Sequence, residues 1–202
     1  MIDIRRAQGI TGWMSDQELT WLATQAQTCD TIIEIGCWRG RSTRVLGDHV
    51  KPGGVVYAVD HWAGESPEMS ELEARLAKPG ALTSTIDYAT LGSDGVYARF
   101  AANLKDLIAS GRVVPMRATS VEAAHALAVC GVQADFVFID GDHAEVSLLA
   151  DLAAYVPLVR PGGLLAGHDY DRLAWHRDVK RVIDRAFAGR FALEHTIWWL
   201  RV

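Results

Sequence analysis

The feature that most restricts the fold is an alternation of short apolar runs with helical patterns. Residues 31–36, 55–60, 113–117, 134–140 and 164–168 are rich in Val, Ile and Phe and do not alternate strictly with polar residues. Strands of this kind are buried on both faces. Residues 42–49, 96–110, 121–130 and 145–158 lie between them and read as helices. Such alternation calls for a parallel sheet covered by helices on both sides. A further helix is expected over 177–187, followed by FALEHT and IWWLRV as a terminal hairpin.

The chain has 202 residues, enough for one domain spanning 1–202. Within it, 1–30 is an N-terminal helical segment, in which Ser15 and Glu18 form a capping box ahead of the Leu19, Leu22 and Ala26 stripe. Residues 63–95, broken by Pro67, Pro79, Gly80, Gly92 and Gly95, fit no element and read as a substrate-binding or lid insertion. The formal charge of −5 argues against nucleic acid as a partner. No apolar run reaches membrane-spanning length. The opening MIDIRRAQ is not a secretory signal, and Cys29, Cys37 and Cys130 are too few and too scattered for a disulfide framework. The expected compartment is the cytoplasm.

Two apolar runs end on titratable side chains. FVFIDGDH stops at Asp140, Asp142 and His143, and GGLLAGHDYD stops at His168, Asp169 and Asp171. In an open α/β sheet the carboxyl ends of the strands form the ligand crevice, so these residues are candidates for one site. Asp142 reads as a turn residue. The first strand leads into EIGCWRGRST, a glycine turn followed by a helix start. Glycines let a ligand approach the backbone there, so a side chain at Gly36 would fill space the ligand needs. Trp38 stands where a dinucleotide fingerprint has its middle glycine, which disfavours a nicotinamide or flavin enzyme. Asp60 ends the second strand at the distance where a ribose-binding acid is placed.

Taken together, E-x-G-x-x-x-G-x-S-T, an acid ending strand two, F-I-D-G-D-H and P-G-G-x-x-x-x-H-D-Y resemble the class I S-adenosylmethionine-dependent methyltransferases. The nearest branch is the small-molecule O-methyltransferases that include the catechol and macrolide-sugar enzymes. The resemblance runs over about 31–187. It implies an α/β fold: a Rossmann-like, doubly wound, seven-stranded sheet, mostly parallel, with an antiparallel C-terminal hairpin strand at the edge. It places Glu34, Gly36, Gly40 and Ser42 around the methionine end of S-adenosyl-L-methionine, with Cys37 and Trp38 also in the cofactor-binding turn and the Trp38 ring on the adenosine side. Asp60 would hold the ribose, with His61 and Trp62 beside the adenosine, Thr119 and Ser120 near the adenine, and Asp140 below the sulfonium. The acceptor would be a small hydroxylated molecule, and a homodimer is compatible with this reading.

Methyl transfer needs alignment of the acceptor and removal of its proton. Metal-using relatives hold Mg²⁺ at positions matching Asp140, His168 and Asp169. Histidine is a poor Mg²⁺ ligand, so this set suits Mn²⁺ or another transition ion better. Without a metal, His143 or His168 would be the base. The two mechanisms stay open here, as do two rivals to the whole reading: a Rossmann-type oxidoreductase and a cofactor-binding module without catalysis. Asp60→Ala should weaken S-adenosylmethionine binding by about 1–3 kcal/mol, because a carboxylate accepting ribose hydroxyls is removed. Calorimetric titration checks this, and unchanged affinity would move the ribose site elsewhere.

Overall fold

The computed structural model describes residues 2–62, 93–170 and 176–202. Seven strands form one sheet in the order β3-β2-β1-β4-β5-β7-β6. They are β1 (Thr31–Ile35), β2 (Val55–Asp60), β3 (Val113–Arg117), β4 (Ala134–Ile139), β5 (Val159–Gly167), β6 (Ala192–Glu194) and β7 (Ile197–Arg201). The first five run parallel. β7 is antiparallel to β5 and pairs with β6 in a hairpin at the edge. Among the described residues no helix is long and apolar enough to cross a membrane.

Alternate residues of each central strand feed two separate cores, which is why the strands read as continuous apolar runs. Ile32, Phe136 and Phe138 face one side, packed under α2 (Asp16–Ala26), α3 (Arg41–His49) and α4 (Ser93–Asn103). Ile33, Val137 and Ile139 face the other, under α6 (Ser120–Val129), α7 (Glu145–Tyr155) and α8 (Arg177–Phe187). α2 starts at the expected capping box: Ser15 Oγ accepts from Glu18 N, and Glu18 Oε2 accepts from Ser15 N at 2.9 Å. A four-residue helix, α1 (Arg5–Gln8), precedes it; it is too short to show periodicity in the sequence.

Several boundaries differ from the sequence expectation. Gly36, Asp140 and His168 each stand one residue beyond their strand. β5 begins at Val159 rather than at 164, because the RPGG stretch joins β4 through a register shift. The expected 96–110 helix is two helices, α4 and α5 (Lys105–Ala109), broken at Leu104, whose φ is −113°. There the Asn103 side chain donates to the Arg39 carbonyl at 2.9 Å, tying the helix end to the glycine turn. Residues 63–92 of the expected insertion, together with Asp171, lie outside the described residues, while 93–95 open α4.

The neighbour of Gly36 also differs from the expectation. Its φ is +86°, and a Cβ built on it would stand 2.0 Å from the Asp140 carbonyl oxygen and 2.7 Å from Gly141 Cα. The space beside Gly36 is therefore filled by the backbone leaving β4, and not kept for a ligand. Gly36→Val should destabilise the fold by on the order of 4 kcal/mol or more, through a backbone clash and a disfavoured φ together. A thermal melt checks this. A variant that melts like the wild type and loses only ligand binding would restore the original expectation.

Candidate active site

The strand order reverses direction between β1 and β4, and the candidate residues gather at the carboxyl ends on either side of that point. Main-chain bonds hold the ends flush: Asp140 N donates to Ile35 O at 2.8 Å, and His168 N donates to Ile139 O at 3.0 Å.

On the β1–β2 side, Asp60 organises two loops. Its carboxylate accepts from Trp38 N at 2.8 Å and from Trp62 N at 2.7 Å. A carboxylate offers about four lone-pair sites, so it keeps capacity for a diol. Trp38 and Trp62 both sit at φ +43°, and Trp62 Nε1 donates to the Trp38 carbonyl at 2.8 Å. The Trp38 ring stacks on Trp13 with centroids 4.6 Å apart. Trp62 is only 1% exposed and packs against Phe100 and Tyr97, so its ring belongs to the core and is not an open face for adenosine. His61 beside it is exposed. Gly40, at φ +86°, begins α3, and a Cβ there would press on Leu104 and Phe100 at 3.0–3.1 Å.

Glu34 is fully buried beneath this turn, and neither carboxylate oxygen has a hydrogen-bond partner among the described residues. Burial pushes its carboxyl up to about 7, the Asp140 charge adds to this, and the neighbouring buried Ser42 and Thr43 offset it only in part. Cys37 turns inward: Sγ lies 3.5 Å from Val59 O, and burial raises the thiol well above its ordinary value. Its contribution to the turn is its backbone. Thr119 and Ser120 serve α6 first. Thr119 caps it in a capping box with Glu122, while Ser120 Oγ donates to Asp151.

On the β4–β5 side the structure brings Asp140, His143, His168 and Asp169 together, around a small pocket backed by Val179 and Trp198. His143 Nε2 lies 2.6 Å from Asp169 Oδ2. His168 Nδ1 lies 3.1 Å from Asp169 Oδ1 and 3.4 Å from Asp140 Oδ1. Its Nε2 lies 3.3 Å from Glu18 Oε1 and 3.1 Å from Thr196 Oγ1. Asp142 stands apart, accepting from Ala144 N and Ser147 Oγ at the start of α7.

Glu18, Thr196 and His176 complete this group and were not singled out from the sequence. Glu18 was visible only as a capping residue. His176, whose Nδ1 lies 3.4 Å from Asp169 Oδ1, stands just before the helix expected over 177–187, where nothing in the sequence ties it to the end of β5.

Burial alone would lower the His168 pKa, but Asp140 foremost, with Asp169 and Glu18, raises it far above the ordinary value. These acids favour the charged form of the ring, which makes His168 a poorer candidate for the base than the sequence suggested. Burial would likewise raise Glu18 and Asp169, yet hydrogen bonds from His168, and from His143 to Asp169, hold both well below the usual carboxylate range. His143 is raised because its bond to Asp169 outweighs desolvation.

The signs of these shifts fix a pH profile. The raised His168 stabilises the fold fully below its unfolded value of 6.5 and progressively less above it. The depressed Glu18 stabilises fully above 4.5 and progressively less as pH falls below that. Glu18→Gln should cost about 3–5 kcal/mol near neutral pH, because it leaves a buried charge short of a partner. It should also flatten the loss of stability below pH 4.5. Denaturant titrations across pH 3–8 would show both; an unaltered acid limb would refute the assignment.

A family model for a methyltransferase domain matches residues 33–170. Among solved structures, an O-methyltransferase from Bacillus cereus in complex with SAH is 16% identical, with a TM-score of 0.61 over 98% of this chain and 87% of that one. TomG from Streptomyces achromogenes, an O-methyltransferase of tomaymycin synthesis in complex with SAM, is 15% identical, with a TM-score of 0.63 over 94% and 82%. SAH-bound PaMTH1 from Podospora anserina is 12% identical, with a TM-score of 0.61 over 93% and 78%. At these identities the likeness is one of fold. The family match covers most of the chain, and from Ile33 to Tyr170 it takes in the glycine turn, Asp60 and both polar strand ends: the chain belongs to the methyltransferase-domain family.

Proposed function

We propose that the chain is a cytoplasmic S-adenosylmethionine-dependent O-methyltransferase acting on a small hydroxylated molecule, such as a sugar or a secondary metabolite. One observation carries this reading. A glycine turn over a buried carboxylate, Glu34, whose oxygens make no well-formed hydrogen bond among the described residues, lies beside a cluster of acids and imidazoles at the β1–β4 switch point. An unpartnered buried carboxylate is costly, and an ammonium group such as that of a bound methionine moiety would relieve it. Asp60 has lone pairs to spare for a ribose. The Bacillus cereus and Streptomyces achromogenes proteins, which share the fold, are O-methyltransferases in complex with SAH and SAM. The free state of all three cysteines suits a reducing compartment.

Bound S-adenosylmethionine supplies a methyl group already activated on a sulfonium. The chain has to bring an acceptor hydroxyl into line and take its proton. His143 is the side chain for the second task. It is 31% exposed, while His168 is 9% exposed and its charged form is favoured. Asp169 fixes its orientation through the 2.6 Å contact and stabilises the imidazolium that forms. Asp140, His168 and Asp169 also fit a divalent ion, since one donor atom from each lies within 4.8 Å of the others. His168 would present Nδ1 once the ion displaces the proton from that nitrogen, while Glu18 holds Nε2, as outer carboxylates do for ligating histidines. With an ion bound there, the chemistry gained is a lower pKa for the acceptor hydroxyl.

The purified chain should bind S-adenosylhomocysteine and ignore NAD in calorimetry; binding of NAD alone would overturn the reading. On an acceptor that is methylated, His143→Ala should lower kcat by about 10²–10⁴. The wild-type rate should fall as pH drops through the raised His143 pKa, because the protonated ring cannot accept. Full activity in the His143 variant would instead give the proton to a metal-bound route, which EDTA would abolish.

A further inference from the structure

The pocket holds a second group of donors, and His176 has no part in the methyl-transfer reading. His143 comes from the loop after β4, Asp169 from the end of β5, and His176 from the residue before α8. His143 Nε2 lies 2.6 Å from Asp169 Oδ2, and His176 Nδ1 lies 3.4 Å from Asp169 Oδ1. One ligand atom from each of the three lies within 4.8 Å of the others. The side chains are 31%, 14% and 12% exposed, sheltered yet reachable. The two rings stand 4.5 Å apart at an angle of 50°, so they are inclined to each other and do not lie flat together. Asp169 itself holds φ +63°, a left-handed conformation that Asp tolerates better than most residues.

We propose that His143, Asp169 and His176 form a binding position for one divalent transition metal of the Zn²⁺, Co²⁺ or Fe²⁺ kind, beside the Asp140–His168–Asp169 group. The donor set decides the class. Two imidazole nitrogens and one carboxylate suit borderline ions, whereas Mg²⁺ and Ca²⁺ require mostly oxygen. Three protein ligands leave a coordination position for water or a substrate oxygen. The two groups share only Asp169, and the second contains more nitrogen than the first. It therefore selects against Mg²⁺ more strongly. The position can be tested without cofactor and does not depend on the methyl-transfer reading; an ion held by His143 would withdraw that ring from service as a base, so the two uses of His143 are alternatives.

The test uses the full-length chain, stripped of metal by chelation and titrated with Co²⁺ while visible absorption and heat are followed. One equivalent should bind with a ligand-field spectrum that millimolar Mg²⁺ does not reverse. His176→Ala and His176→Gln should each weaken binding at least about tenfold, and by more than Asp140→Asn does. Circular dichroism melts confirm that the variants are folded. Absence of Co²⁺ binding overturns the proposal, as does displacement by Mg²⁺. So does a folded His176 variant that binds Co²⁺ as the wild type does, or that loses no more affinity than Asp140→Asn. S-adenosylhomocysteine binding, measured on the same samples, reports separately on the methyltransferase reading.

Discussion

The His168 imidazole sits where α2, the ends of β4 and β5, and the β6–β7 turn meet. Its two nitrogens face Glu18, Thr196, Asp140 and Asp169 at 3.1–3.4 Å. Acids this close and this sheltered favour a cation between them, and the raised His168 ring is placed to supply it; burial works the other way on Asp140, raising its carboxyl. Glu18 is only 5% exposed and is anchored at both oxygens: Oε2 by the α2 cap, Oε1 by His168 and Thr196. The N-terminal helix is thereby tied to the floor of the site.

The two halves of the crevice differ in their state of compensation. Around His168 and Asp169 nearly every charge has a partner, and Asp169 serves three imidazoles at once. A change in charge on any one of these rings is felt by the others through that single carboxylate. On the β1 side, Glu34 is buried without a well-formed hydrogen bond among the described residues, and its carboxyl is pushed up to about 7. The crevice thus holds a satisfied cluster on its β4–β5 side and an unsatisfied acid on its β1 side. Proteins rarely leave a buried carboxylate uncompensated unless something else completes it.

Much of this was legible in the chain. The runs from Ile32 to Ile35 and from Phe136 to Ile139 are apolar at every position but Glu34, and a strand with both faces buried has to be. The exception was itself a pointer to the site. The Ser15–Glu18 pair announced the start of α2. The prominence of Gly36 was also legible, but its neighbour was not: the Asp140 backbone occupies the space expected for a ligand, because β1 and β4 are adjacent and their ends are in register. Trp62 looked like a loop residue beside the cofactor and is a core residue, since it packs on Tyr97 and Phe100 of α4, far along the chain.

The sequence by itself determined the alternation of strands and helices, the two polar strand ends and the acid after β2. These depend on periodicity and on residue type at short range. Only the tertiary structure decided which charges meet. Glu18 reaches His168 across 150 residues, and His176 reaches Asp169 across a segment with no periodic signal. A side chain's protonation depends on burial and on distances of a few ångströms, and here those are set by strand register and by how α2 and α8 lie on the sheet. That is why His168 reads as a base in the chain, while in the fold the surrounding acids favour its charged form.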